Sequence, residues 1–250
     1  MVSVLDDYKD RYESVAFERS DSGVLIVRLH TGGGPLVWGT IPHRELPEAF
    51  ADVAADRENR VVVLTGTGER FCADRDNSLS VLRSSPEGWD RIYWEGKRLL
   101  GNLMDISVPV VAAVNGPAHH HAELPLLSDV VIAADTATFQ DHGHFPSGVV
   151  PGDGVQVVWQ KLLGMNRGRY FLMTGQVLSA KDALDLGIVG EVVPPPDVLP
   201  RALALAESFA ERTTLTLHYT RVAMTGHIKR ALTEELGHGL SLEGMALQAL

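Results

Sequence analysis

The sequence predicts an α/β fold that ends in helices. Three observations carry this expectation. Short β-branched apolar runs alternate with stretches of helical spacing. The runs VVVLTG, VPVVAAV and DVVIAAD are apolar throughout rather than at every second residue, the pattern of strands buried on both faces. After the triplet PPP (194–196), only helical periodicity remains.

In chain order, VAFER (15–19) and VLIVRLH (24–30) read as strands joined through DSG, a hairpin signal. HRELPEAFADVAAD (43–56) has helical spacing despite Pro47. The strand 61–66 follows, then a helix within GWDRIYWEGKRLLGNLM (88–104), the strands 108–114 and 129–135, and the short strand IVGEVV (188–193). Repeated strand, helix, strand order implies right-handed crossovers. The triplet PPP reads as a break, and helices are expected over 198–211, 213–225 and about 228–249. The chain therefore divides into a core domain (1–196) and a C-terminal helical region (197–250).

Composition narrows the function. With 32 acidic against 22 basic residues, the net charge is −10, which argues against a phosphate-tracking nucleic-acid surface built on clustered Lys and Arg. No apolar run approaches the roughly 20 residues of a membrane helix, and the N-terminal MVSVLDDYKDRYE is acidic rather than a basic leader, so a cytoplasmic protein is expected. The single cysteine, Cys72, rules out an internal disulfide and leaves too little thiol for a structural zinc site. Small-molecule chemistry fits best.

The stretch NGPAHHHAELPLLSD (115–129) sets three histidines between a Gly-Pro turn and an expected helix start. Adjacent histidines point in different directions, whereas chelation needs i, i+4 spacing on a helix or convergence from separate elements, so no metal is expected. His119 and His120 read as turn residues. TGTGER (65–70) follows a strand but matches no phosphate-binding glycine pattern.

Spaced matches over nearly the whole chain then become specific. VVVLTGTGERFCA, VPVVAAVNG, E-L-x-L-x-S-D, ADTATFQ, GVVPGDG and LLGMNRGRYFLMTGQVLSAKDALDLGIVGEVV resemble, in order, the crotonase (enoyl-CoA hydratase/isomerase) superfamily. The resemblance implies a crotonase fold: a spiral of ββα turns, a helical C-terminal trimerisation region, and assembly into homotrimers or hexamers. It also implies an oxyanion hole of two backbone N–H groups. Two departures put that hole in question. His119, His120 and His121 replace a usual glycine run, and Asp74, in CADRD, brings a charged side chain where a glycine allows close approach.

A narrower resemblance accommodates both departures. VW (37–38) with His43, the histidine before E-L-P, TFQD with HFPSGVVPGDG, and NRGRYFL with TGQ are similar to β-diketone hydrolases of the 6-oxocamphor hydrolase type. These are crotonase-fold enzymes that use no coenzyme A. What this implies is a cofactor-free retro-Claisen cleavage of a C–C bond in a β-diketone, of cyclic type. His144 and Asp153 would form the base, His121 would hold the attacked carbonyl, Glu243 would hold water or relay a proton, and Trp38 and His43 would line the diketone site. Glu123 aligns with a hydratase catalytic glutamate but reads here as a helix-start residue. The alternatives are a CoA-dependent hydratase or isomerase, and a catalytically silent binding or assembly subunit.

Overall fold

The computed structural model describes residues 4–247. Its centre is a six-stranded sheet in the order Val15–Arg19, Val24–Leu29, Val61–Thr65, Val110–Val114, Val130–Ala134, Glu191–Val193. The first two strands form the expected antiparallel hairpin, with Val15 opposite Leu29. Every later pair is parallel: Ile26 beside Val63, Val63 beside Val111, Ala113 beside Ile132, Ala133 beside Val192. All five residues of both Val61–Thr65 and Val110–Val114 are buried, which is why these runs show no alternation.

Each parallel strand is added on the same side of its predecessor, so the crossovers advance as a spiral. A second ladder forms outside the sheet. Cys72 pairs with Ala118, Ala118 with Phe139, and Phe139 with Leu178. This ladder stacks the segments that follow Thr65, Val114 and Ala134. Residues just beyond the carboxyl ends of three parallel strands are thereby gathered at one edge, where α/β sheets commonly bind ligands.

Two helical expectations need correction. The triplet PPP is not a break: Pro195 and Pro196 open the helix Pro195–Ala210, because a proline in the first turn gives up only an N–H that would lack a helical partner anyway. The helices expected over 213–225 and 228–249 are one helix, Thr214–Leu247, with residues 248 and 249 outside the described part. Gly226 lies between the two expected ranges. An interior glycine costs only about 1 kcal/mol, and Ala231, Leu232, Leu236 and Leu240 beyond it are buried in the core. The helix at 43–56 in fact begins at Thr40, and that at 88–104 begins at Pro86 with Ser85 accepting the Gly88 N–H at 3.0 Å. Among the described residues, no helix is long and apolar enough to cross a membrane.

One buried cation pins the long helix to the sheet. Arg221, 1% exposed, donates to the Ile106 carbonyl at 2.7 Å and pairs with Asp129, whose Oδ2 also accepts the Val110 N–H at 2.7 Å. Removing one partner of such a pair strands the other charge. Arg221→Met is expected to destabilise the fold by about 3–5 kcal/mol, read as a lower urea midpoint; an unchanged midpoint would show that the pair is idle.

Candidate active site

The stacked segments open onto a cleft of about 860 Å³ counted out to its mouth. Leu79, Trp89, Ile92, Leu99, Val149 and Leu240 give it apolar lining. The same lining includes His121, His144, Asp153 and Glu243, with Trp38 and His43. All six residues singled out by the sequence therefore meet in one place.

Different elements bring them there. Trp38 ends the short strand Val37–Trp38, which pairs with Asp74–Arg75. His43 lies in the first turn of the helix Thr40–Ala55, and its Nδ1 meets Glu95 Oε2 of the helix Pro86–Asp105 at 2.7 Å. Glu243 comes from the C-terminal helix, which can approach only because two positions lack side chains. A Cβ at Gly239 would collide with the Gly152 carbonyl, and one at Gly244 with the Trp89 indole.

Three acidic side chains and two imidazoles form a continuous network. Asp141 Oδ1 lies 2.6 Å from His144 Nδ1, and Asp153 Oδ2 lies 3.2 Å from His144 Nε2. The same Asp153 oxygen is 3.7 Å from His121 Nδ1, which meets Glu123 Oε1 at 2.6 Å. The His121 ring stacks on Trp38 with centroids 3.9 Å apart. Glu243 adds a buried carboxyl whose Oε2 has no partner among the described residues.

The charges follow from this packing. Burial opposes protonation of His144, but the anions of Asp153 and Asp141 outweigh it and lift the imidazole well above its ordinary value. Burial would raise Asp153, yet the His144 and His121 cations hold it well below the usual carboxylate range. For His121, the desolvation cost is overcome by Glu123 and then Asp153, so its pKa is raised. Glu243 has no bonded cation to offset burial and is pushed up to about 8. At neutral pH this acid keeps its proton.

The three adjacent histidines have separate fates. The backbone N–H groups of His119 and His120 both donate to the Cys72 carbonyl, at 2.8 and 3.0 Å, and so are not free to hold a ligand oxygen. His119 follows the ladder residue Ala118 and keeps its Nε2 2.8 Å from Thr138 Oγ1. His120 is more than a turn residue: it is buried, it lines the cleft, and burial followed by the His121 charge lowers its pKa to about 3. His121 sits at φ +49°, the left-handed region natural to glycine. The imidazole reaches the cleft at the cost of backbone strain. Asp74, expected to intrude on the site, turns away instead and pairs with Arg70 while half exposed.

Two participants were not singled out by the sequence. Asp141 stands at i−3 from His144, within a quoted motif, and that Asp-x-x-His spacing was its available signal. Glu95 pairs with Arg91 at i, i+4, which in sequence looks like an ordinary solvated helix pair. As for a metal, His121, Glu123 and Asp153 each bring one donor atom within 4.8 Å of the others. Glu123 Oε1 already bonds the His121 Nδ1 at 2.6 Å, while Glu123 Oε2 and Asp153 Oδ1 are buried without a partner among the described residues.

Comparison with known proteins agrees with this architecture. A β-diketone hydrolase from the cyanobacterium Anabaena sp. PCC 7120, solved with (S)-3-oxocyclohexyl acetic acid, superposes with a TM-score of 0.94 and 46% identity over 96% of each chain. An enoyl-CoA hydratase/isomerase from Mycobacterium paratuberculosis superposes with a TM-score of 0.87 at 27% identity, over 95% of this chain and 94% of that one. The carnitinyl-CoA dehydratase of Proteus mirabilis is 32% identical over 80% of this chain and 76% of its own length. The α/β fold is thus the crotonase fold. Residues 42–248 match the enoyl-CoA hydratase/isomerase family, and the chain belongs to it.

Proposed function

We propose that the protein is a cofactor-independent hydrolase that cleaves a C–C bond of a cyclic β-diketone. One observation carries the reading: ionisable side chains, His121 on Trp38 and His144 between Asp141 and Asp153, occupy the reaction cleft, while the N–H groups of His119 and His120 are bonded to Cys72. The 46% identity to a β-diketone hydrolase supports it. That neighbour's ligand is a keto acid, the kind of product such a cleavage yields.

The chemistry assigns each group a task. His144 and Asp153 take a proton from water, whose oxygen adds to one carbonyl. His121, its Nδ1 held by Glu123, donates a hydrogen bond to the oxygen that becomes negative. Collapse of the adduct breaks the C–C bond and leaves a carboxyl group and an enolate. Glu243, protonated at neutral pH, delivers the proton to the enolate carbon. The apolar lining of Trp89, Ile92, Leu99 and Leu240 receives the hydrocarbon ring.

The test sets two substrates side by side. The bridged bicyclic β-diketone that opens to (3-oxocyclohexyl)acetic acid should be hydrolysed at an ordinary enzymatic rate, roughly 1–10³ per second. Crotonyl-CoA should not be hydrated measurably. Hydration of crotonyl-CoA at such a rate, with the diketone untouched, would overturn the assignment in favour of a CoA-dependent hydratase.

A further inference from the structure

We propose that Asp141, rather than Asp153, is the carboxylate that sets the tautomer of His144, so that Nε2 and Asp153 together face the attacking water. Asp141 is thus a positioning residue for the reaction proposed above, and its role rests on that reading. The geometry separates the two acids. Asp141 Oδ1 is 2.6 Å from Nδ1, while Asp153 Oδ2 is 3.2 Å from Nε2 and belongs to the side that also reaches His121. Both acids line the cleft, so what distinguishes them is the ring nitrogen each one meets.

The local chain explains why Asp141 is fixed. Phe139 belongs to the outer ladder, and the Gln140 N–H donates to the Ala118 carbonyl at 3.2 Å. The His142 N–H donates to the His119 carbonyl at 3.1 Å. Asp141 is therefore held between two backbone anchors. On the far side, the His144 carbonyl accepts the N–H groups of Ser147 and Val149 at 2.7 and 3.1 Å. Both partners of the short contact sit on tethered backbone, and Asp141 is only 5% exposed.

A neutral imidazole carries one N–H. If that proton stays on Nδ1 and points at Asp141, the Nε2 lone pair is free to take a proton from water. Were it on Nε2, it would point at Asp153 and no lone pair would face the cleft. An ionised Asp141 can only accept, so it admits the first tautomer alone. An asparagine there can turn its NH₂ toward Nδ1 and select the second. Other charges also face His144: Asp153 from the loop before Val155, Glu243 from the C-terminal helix, and His121, backed by Glu123, from the adjoining turn. None of these contacts Nδ1.

The experiment is ¹⁵N NMR of the imidazoles of the ligand-free protein through a pH titration, which needs no substrate. In the wild type, the His144 cation should lose its proton from Nε2 and keep Nδ1 protonated. Asp141→Asn should switch the neutral form to Nε2–H and lower the His144 pKa, whereas Asp153→Asn should keep Nδ1–H. With the diketone, Asp141→Asn should lose up to about 10⁴-fold in kcat, the order of loss when an amide in place of the orienting carboxylate selects the wrong tautomer, and its acid limb should move to lower pH. The sign follows from charge, because removing an anion beside an imidazolium makes deprotonation easier. A wild-type spectrum in which Nδ1 loses the proton, or a tautomer that switches in Asp153→Asn and not in Asp141→Asn, would overturn the proposal even if Asp141→Asn folded poorly. A protein that fails on the diketone but shows the expected tautomers would sink the hydrolase reading and leave Asp141's role standing.

Discussion

Asp153→Asn is expected to lower kcat by about 10²–10⁴-fold, the range of a general-base contribution, with little change in KM. The carboxylate does two things that an amide cannot. It stabilises the cation formed when His144 takes a proton from water, and it supplies a second acceptor on the cleft side of that imidazole. Both matter more in the transition state than in the bound substrate, so the loss falls on turnover. The wild-type pH profile should be bell-shaped. The base must be neutral, and His144 has a raised pKa, so the rate climbs only as pH passes above the ordinary histidine value of about 6.5. The acid must be protonated, so the rate falls as pH rises through about 8, where Glu243 ionises. Because these groups share one network, the two limbs belong to the site as a whole. Initial rates against pH for the wild type and Asp153→Asn check this. A variant with near-normal kcat and an unchanged profile rules out the base.

How much of this was legible in the sequence depends on whether the controlling interaction is local. The buried strands could be read because burial on both faces leaves an unbroken apolar run, as in Val61–Thr65. Pro195 could not, because a proline that begins a helix and one that ends it look alike without the flanking packing. The continuous helix through Gly226 has the same cause: Leu232, Leu236 and Leu240 find their partners in distant elements. At the site, family resemblance supplied His121, His144, Asp153 and Glu243, but not what holds them. Glu95 reaches His43 across 52 residues, and nothing in either local stretch announces the pair. Asp74 shows the converse error. Its position in CADRD suggested intrusion, but the side-chain direction is set by the pairing of Asp74–Arg75 with Val37–Trp38 and by Arg70.

His121→Ala is expected to reduce kcat by about 10²–10³-fold, the cost of losing one oxyanion donor, while His119→Ala keeps most of its activity. The difference lies in where each ring points. His119 is tied to Thr138 of the outer ladder, whereas His121 lies in the cleft, stacked on Trp38, with its pKa raised by Glu123. His120 is a neutral wall residue, so His120→Ala should alter substrate fit, seen as a higher KM, more than turnover. A loss at His121 could still come from disturbed backbone, and φ +49° offers a way to separate the causes. A left-handed conformation costs an ordinary residue about 1–2 kcal/mol, and glycine escapes it. His121→Gly should therefore unfold at a denaturant concentration no lower than His121→Ala does, yet be equally impaired in kcat. Glu123→Gln should show a milder version of the same defect, since it leaves the His121 ring in place but removes the carboxyl group that raises its pKa. Chelators should change neither the wild-type rate nor the ranking of the variants. If His121→Gly regains wild-type turnover, or if EDTA abolishes activity and zinc restores it, the imidazole is not the donor to the developing oxyanion.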